Sequence, residues 1–247
     1  MPANDAAGAP DPAVLVALPG TGSDADYIRR AFGPAAASLG VDLIAPEPAN
    51  DLVGGYRAAL DAAAGEGHPI LVGGVSIGAA IALDWALDAG RARCCGVLAA
   101  LPAWSGSPEH AAAAHSATLT ASSIERDGLE PTIGAMTATS PEWLAAELTR
   151  SWRGLADGLV TQLRCAAAYR APGPAEIADL GVPLAVTAAI DDPVHPIGVA
   201  QQWCAAAPRS ALVEVTLAGW GARPALLGDS CARAWAALHH GQQDPEG

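Results

Sequence analysis

Short, almost wholly apolar runs alternate with stretches of helical spacing along most of this chain, and that rhythm constrains the fold more than any other feature. The apolar runs fall at residues 13–18, 41–45, 70–74, 94–101, 182–190 and 211–217. Helical patterns follow at 24–39, 52–64, 77–89, 197–207 and 223–238. A strand apolar at nearly every position must be covered on both faces, because a half-wet strand alternates polar and apolar residues. The spacing therefore predicts an α/β fold, a mostly parallel sheet with helices on both faces. Such sheets place their sites beyond the carboxyl ends of the strands. Ser23 or Asp24 can cap the first helix, and Gly65 and Gly90 close the second and third.

The rhythm breaks between residues 103 and 180, where helical patterns occur at 110–116, 122–137, 141–152 and 155–169 but no strand is legible. This block is expected to be a helical insertion at the site-bearing end of the sheet, placed as a lid would be. With 247 residues the chain can bury a full core. We read 1–247 as a single domain carrying that insertion.

The third apolar run leads into Gly74-Val75-Ser76-Ile77-Gly78 and then a helix. Strand, G-x-S-x-G, helix is the pattern of a nucleophile elbow. The turn is so tight that its central residue is strained, and small neighbours let strand and helix approach. The serine hydroxyl then projects from the sheet edge, while the Ile77 amide at the helix start can donate to a developing oxyanion. The plainer alternative is a serine N-cap in an ordinary glycine-rich turn.

On these residues the chain resembles the α/β-hydrolase superfamily over most of its length. The resemblance implies a second oxyanion donor after an earlier strand. Leu18-Pro19-Gly20-Thr21-Gly22 stands there, with Pro19 where histidine is common, and the Thr21 amide would be that donor. It also accommodates helical lids after the strand that follows the nucleophile, and the family's first two antiparallel strands have no counterpart here. It implies an acid after the next-to-last strand, where Asp191-Asp192-Pro193-Val194-His195-Pro196 matches, with Asp192 better aligned and Asp191 the alternative. The remaining alternative for Asp192 is a helix N-cap.

The resemblance further implies a histidine soon after the last strand, and here the chain departs. Leu217-Ala218-Gly219-Trp220-Gly221-Ala222 occupies that stretch, with Trp220 near the histidine position. His239 and His240 are expected beyond the final helix, about 24 Å from the sheet edge after roughly 16 helical residues. His68 precedes the third strand at the wrong end, and His110 and His115 fall in the insertion. His195 lies on the acid loop itself, stiffened by Pro193 and Pro196. One of the two aspartates can reach it within a tight turn, and its ring could take the Ser76 proton. A loop histidine bonded to backbone is the alternative.

Charge narrows the partners. Thirteen arginines with no lysine face 26 acidic residues, a formal charge of −13 that disfavours nucleic acid and anionic membranes. A small-molecule substrate, neutral or cationic, remains, and oligomeric state is not legible. Five cysteines without paired spacing suggest reduced thiols in the cytoplasm, and Cys165, Cys204 and Cys231 are expected in the core. The first twelve residues lack the pattern of an export signal. The tail HHGQQDPEG is expected to fray.

Gly20-Thr21-Gly22-Ser23-Asp24-Ala25 also fits a dinucleotide fingerprint, with Glu47 as its ribose-binding acid, although Pro19 interrupts the entry. No metal-binding spacing is present, and neither metal nor cofactor is expected. Trp104, with Trp143 and Trp152 in the insertion, could line a pocket near Ser76 or simply pack. The expectation is a serine hydrolase on a small ester, thioester or amide, with Ser76, His195 and Asp192 as triad and Thr21 and Ile77 as oxyanion donors. The principal rival is a non-catalytic relative that kept the pocket for binding.

Overall fold

The computed structural model describes residues 12–65 and 68–240. Its elements run β1 (Val14–Leu18), α1 (Ala25–Leu39), β2 (Asp42–Ile44), α2 (Leu52–Ala64), β3 (Ile70–Val75), α3 (Ile77–Arg93) and β4 (Cys94–Ala100). The insertion follows as α4 (Ala112–Asp127), α5 (Leu129–Thr139), α6 (Glu142–Ala168) and the short α7 (Pro174–Ile177). The chain then returns through β5 (Leu184–Ala189), α8 (Ile197–Ala206), β6 (Ser210–Val215), α9 (Leu217–Ala222) and α10 (Ala225–His240). The expectations for residues 1–11 and 241–247, an absent export signal and a frayed tail, lie outside the described residues.

All six strands pair in parallel, in the order β2-β1-β3-β4-β5-β6. Side chains alternate between the two faces of a strand, and each face has its own core. Val16, Leu18, Val72, Val97 and Val186 pack with α2, α3 and α8 through Leu60, Trp85 and Trp203. Leu15, Ala17, Leu71, Leu98 and Ala185 pack on the other side with α1 and α10 through Ile28, Phe32, Leu227 and Trp235. Burying each such large side chain stabilises by about 1.5–3 kcal/mol, which is why near-continuous apolar strands demand helices on both faces. No helix among the described residues is long and apolar enough to cross a membrane.

The register brings the carboxyl ends of the central strands level. Leu18 pairs with Gly74, Val75 with Ala100, and Ala100 with Thr187. The loops after β1, β3 and β5 therefore emerge together.

The insertion has a small core of its own, in which Trp152, Leu159 and Leu163 of α6 meet Ala117, Ala121 and Ile133. Two helices were expected at 141–152 and 155–169, but α6 runs unbroken through Gly154. An interior glycine costs only about 1 kcal/mol, and one continuous apolar stripe outweighs it. At the other end of the chain, a short helix that was not expected precedes the last one. Thr216 Oγ1 accepts the Gly219 amide and starts α9 before Pro224, so β6 ends at Val215, earlier than expected. His239 and His240 do not lie beyond the final helix. They complete α10, where the buried His239 ring stacks on Trp235 at 4.6 Å. Gly90, at φ 62° and ψ −175°, interrupts the third helix at the expected place. No disulfide joins the described cysteines; Cys94, Cys95 and Cys231 are buried, whereas Cys165 and Cys204 are only half-buried. Burial pushes the Cys94 and Cys231 thiols up to about 12, so both stay protonated near neutrality.

Candidate active site

Ser76 joins β3 to α3 with φ 56° and ψ −116°, outside the regions open to an ordinary side chain. Such strain persists only where the surroundings hold it. The Ser76 amide donates to the Ala100 carbonyl at 2.9 Å, and its carbonyl starts α3 by accepting from the Ala80 amide at 3.1 Å. Glycine is required on both sides. A Cβ on Gly74, itself at φ 156°, would lie 2.5 Å from the Leu18 carbonyl oxygen, and one on Gly78 would lie 2.3 Å from the same atom. The Ser76 hydroxyl does not cap α3, so the N-cap alternative fails.

That hydroxyl instead meets His195, 119 residues away, with Oγ to Nε2 at 3.1 Å. The other ring nitrogen, Nδ1, lies 2.8 Å from Asp192 Oδ2. An ionised carboxylate only accepts, so Nδ1 carries the proton toward Asp192, and Nε2 is left to accept from Ser76. The second oxygen, Oδ1, accepts the backbone amides of Val194 at 2.8 Å and His195 at 3.2 Å. One carboxylate thus folds the loop and aims its imidazole. Burial pushes the Asp192 carboxyl up, but the His195 ring and these two amides outweigh burial and leave it below its usual range. Ser76 is 7% exposed, and the His195 side chain 17%.

The neighbouring Asp191 is placed elsewhere. Its Oδ1 accepts the Leu217 amide at 2.6 Å, tying the loop after β5 to the start of α9. The two aspartates that sequence alone left as alternatives are separated by which way each side chain leaves the loop. The Asp192 N-cap alternative fails too, since the residue before α8 is Pro196.

The loop after β1 lies against the elbow. A Cβ on Gly20 would sit 3.3 Å from the Val75 carbonyl oxygen and 3.6 Å from Ser76 Cβ. Gly20 to Ser23 form a β-turn closed by the Ser23 amide on the Gly20 carbonyl at 3.1 Å. Gly22 has φ 69° at its third position, as a type II turn requires. Thr21 occupies the second position, next in the chain to the Gly20 that abuts Ser76. Ile77 is the first residue of α3, so its amide has no intrahelical acceptor.

Trp220 is buried on α9, packed edge-on against Trp143 of α6 with ring centroids 4.7 Å apart. A tryptophan thus fills the place the resemblance assigns to histidine. Trp104 is buried, and its indole N–H donates to the Tyr169 carbonyl at 3.1 Å, so it pins the two ends of the insertion together. His110 and His115 are exposed on the insertion, and His68 is exposed before β3. Glu47, the acid of the dinucleotide alternative, accepts the Ala25 amide at the start of α1 at 3.3 Å.

Two elements of the neighbourhood were not legible beforehand. Ser151 is fully buried on α6 and donates to the Gly22 carbonyl at 2.7 Å. Arg150 forms a fork on the Asp24 carboxylate, with nitrogen–oxygen distances of 2.7 and 2.8 Å. A serine and an arginine inside a helical pattern carry no signal of a partner more than 120 residues away.

No family model matches the chain, and no curated protein matches its sequence. Its structure, in contrast, is similar to many solved ones. A putative non-heme bromoperoxidase from Mycobacterium tuberculosis aligns with TM-score 0.68 at 18% identity, over 94% of this chain and 94% of that one. MenH from S. aureus aligns with TM-score 0.65 at 16% identity, over 94% of each chain. A thermophilic esterase from Thermogutta terrifontis aligns with TM-score 0.61 at 18% identity, over 85% of this chain and 82% of that one. At such identities the likeness carries the architecture, and that architecture, with its six parallel strands and helices on both faces, is the α/β-hydrolase fold.

Proposed function

We propose that this protein is a serine hydrolase acting on a small ester, thioester or amide through an acyl-enzyme at Ser76. The observation that carries this reading is the unbroken chain Ser76 Oγ, His195 Nε2, His195 Nδ1, Asp192 Oδ2, with contacts of 3.1 and 2.8 Å. Ser76 Oγ attacks the substrate carbonyl while His195 Nε2 accepts its proton, and Asp192 stabilises the imidazolium that results. The Thr21 and Ile77 amides receive the oxyanion. His195 returns the proton to the leaving group, then activates a water that releases the acid and frees Ser76. The helical insertion is the lid over this site.

A neutral or cationic substrate suits a chain of net charge −13. Arg150, which reaches the loop after β1, and its neighbour Arg30 are already engaged by Asp24, Asp26 and Glu147, which also suits a substrate without negative charge. Unbridged cysteines fit a reducing compartment such as the cytoplasm. The rival, a ligand-binding relative without a base, draws its support from Trp220. That support weakens when a different histidine is within hydrogen-bond distance of the nucleophile. Labelling with a fluorophosphonate decides between them. Wild type should be modified at Ser76, and Ser76→Ala should not react; an unreactive wild type would make the protein a binding relative.

A further inference from the structure

Three consecutive residues of the inserted helix grip the loop after β1. Arg150 forks onto Asp24, which also caps α1 by accepting the Tyr27 amide at 3.1 Å. The Ser151 hydroxyl donates to the Gly22 carbonyl at 2.7 Å with no exposure to solvent. The Trp152 ring closes over the same residue, so that a Cβ on Gly22 would stand 2.7 Å from its Nε1. On its opposite side, the loop rests on Val75 and Ser76 through Gly20. The turn that presents Thr21 is therefore held between the nucleophile and the insertion.

We propose that Ser151 is a positioning residue for the oxyanion turn, fixing the Gly22 peptide and through it the direction of the Thr21 amide. The inference rests on the hydrolase reading above. Within the turn itself, one hydrogen bond, from the Ser23 amide to the Gly20 carbonyl, sets the conformation. Ser151 supplies a second from outside, in a buried place where water does not substitute for it. An oxyanion donor acts only when aimed at the position the negative oxygen will occupy, so a slackened turn weakens transition-state binding and leaves the ground state alone. Because Ser151 belongs to α6, any opening of the insertion also releases this turn, and the hole is complete only when the helix is docked.

The test uses p-nitrophenyl acetate as substrate and phenylboronic acid as a tetrahedral mimic. Removing an oxyanion donor outright costs roughly 10²–10³ in kcat, so misaligning one through Ser151→Ala should lower kcat about tenfold. KM should stay within about twofold, and the affinity for phenylboronic acid should fall in step with kcat. Unchanged kcat and boronic-acid affinity overturn the proposal, as does a loss confined to KM or to thermal stability, which is what a packing role alone would produce. If the alanine variant does not fold, Ser151→Cys keeps the size, weakens the donor and is read by the same ratio. Failure of the hydrolase reading is distinguishable: wild type would then escape the fluorophosphonate, whereas failure of this inference leaves wild type labelled and Ser151→Ala equally active.

Discussion

The loops after β5 and β6 stand side by side at the same sheet edge and divide the work unevenly. In the resemblance that the sequence carries, the first supplies an acid and the second a histidine. Here the first holds an aspartate and a histidine in contact, Asp192 and His195 being three residues apart, while the second begins α9 and turns Trp220 into the apolar layer against Trp143. A short turn manages this because a single carboxylate bonds the backbone amides of Val194 and His195 with one oxygen and the imidazole with the other. The difference teaches that a relay of this kind depends on where the ring nitrogens arrive, and chain order is only one route to that place. The loop after β6 contributes packing and a brace through the Leu217 amide on Asp191.

The largest effect should come from His195→Ala, which removes the only imidazole bonded to Ser76 among the described residues. Its kcat on p-nitrophenyl acetate should fall by about 10⁴-fold or more. Adding Trp220→His to that variant should recover no more than about tenfold, because position 220 is packed against Trp143; full recovery would show that the two loops are interchangeable. Next in size is Asp192→Asn, expected to lower kcat by roughly 10³–10⁴-fold through a misdirected imidazole. The companion variant Asp191→Ala should keep kcat within about threefold and lose about 1 kcal/mol in urea unfolding, the worth of one hydrogen bond. Equal kinetic losses in the two variants would erase the distinction between the neighbouring aspartates.

Trp220→Ala should act on stability, costing about 3 kcal/mol as a buried indole is lost, and should affect kcat far less than His195→Ala. The smallest effect is one of pH. The Asp192 carboxyl is held below its usual range, so its stabilisation is fully present above the unfolded value of about 3.9 and is lost as pH falls through the lower folded value. The stability gap between wild type and Asp192→Asn should be flat from about pH 7 to pH 5 and close below about pH 4. A gap that does not close between about pH 4 and about pH 2 would mean that the Asp192 carboxyl is not held below its usual range.

Much of the scaffold was legible because it follows from short-range rules. Apolar runs, proline stops and the glycines around Ser76 located six strands and the elbow to within a residue or two. The misplacements occurred where tertiary packing overrode local signals. Gly154 lies within a single α6 because its flanking apolar stripe is continuous. Residues 217–222 form their own short helix because Thr216 caps them. His239 lies within α10, where stacking on Trp235 holds it against the core. In the site, Ser76, Asp192 and His195 could each be named from loop position, but Ser151 and Arg150 could not. Their partners, Gly22 and Asp24, lie 129 and 126 residues away.

By itself, then, the sequence determined a two-sided parallel sheet and the elbow after its third strand, since hydrophobic period and steric room at glycines are local properties. It also determined that the histidine expected after the last strand is absent. Only the tertiary structure decided that the His195 ring comes within hydrogen-bond distance of Ser76. Contact between residues 119 positions apart depends on sheet register and on the direction in which Asp192 and Asp191 leave one turn. Neither is a property of any short segment, because each is set by side chains that meet only after the strands have paired.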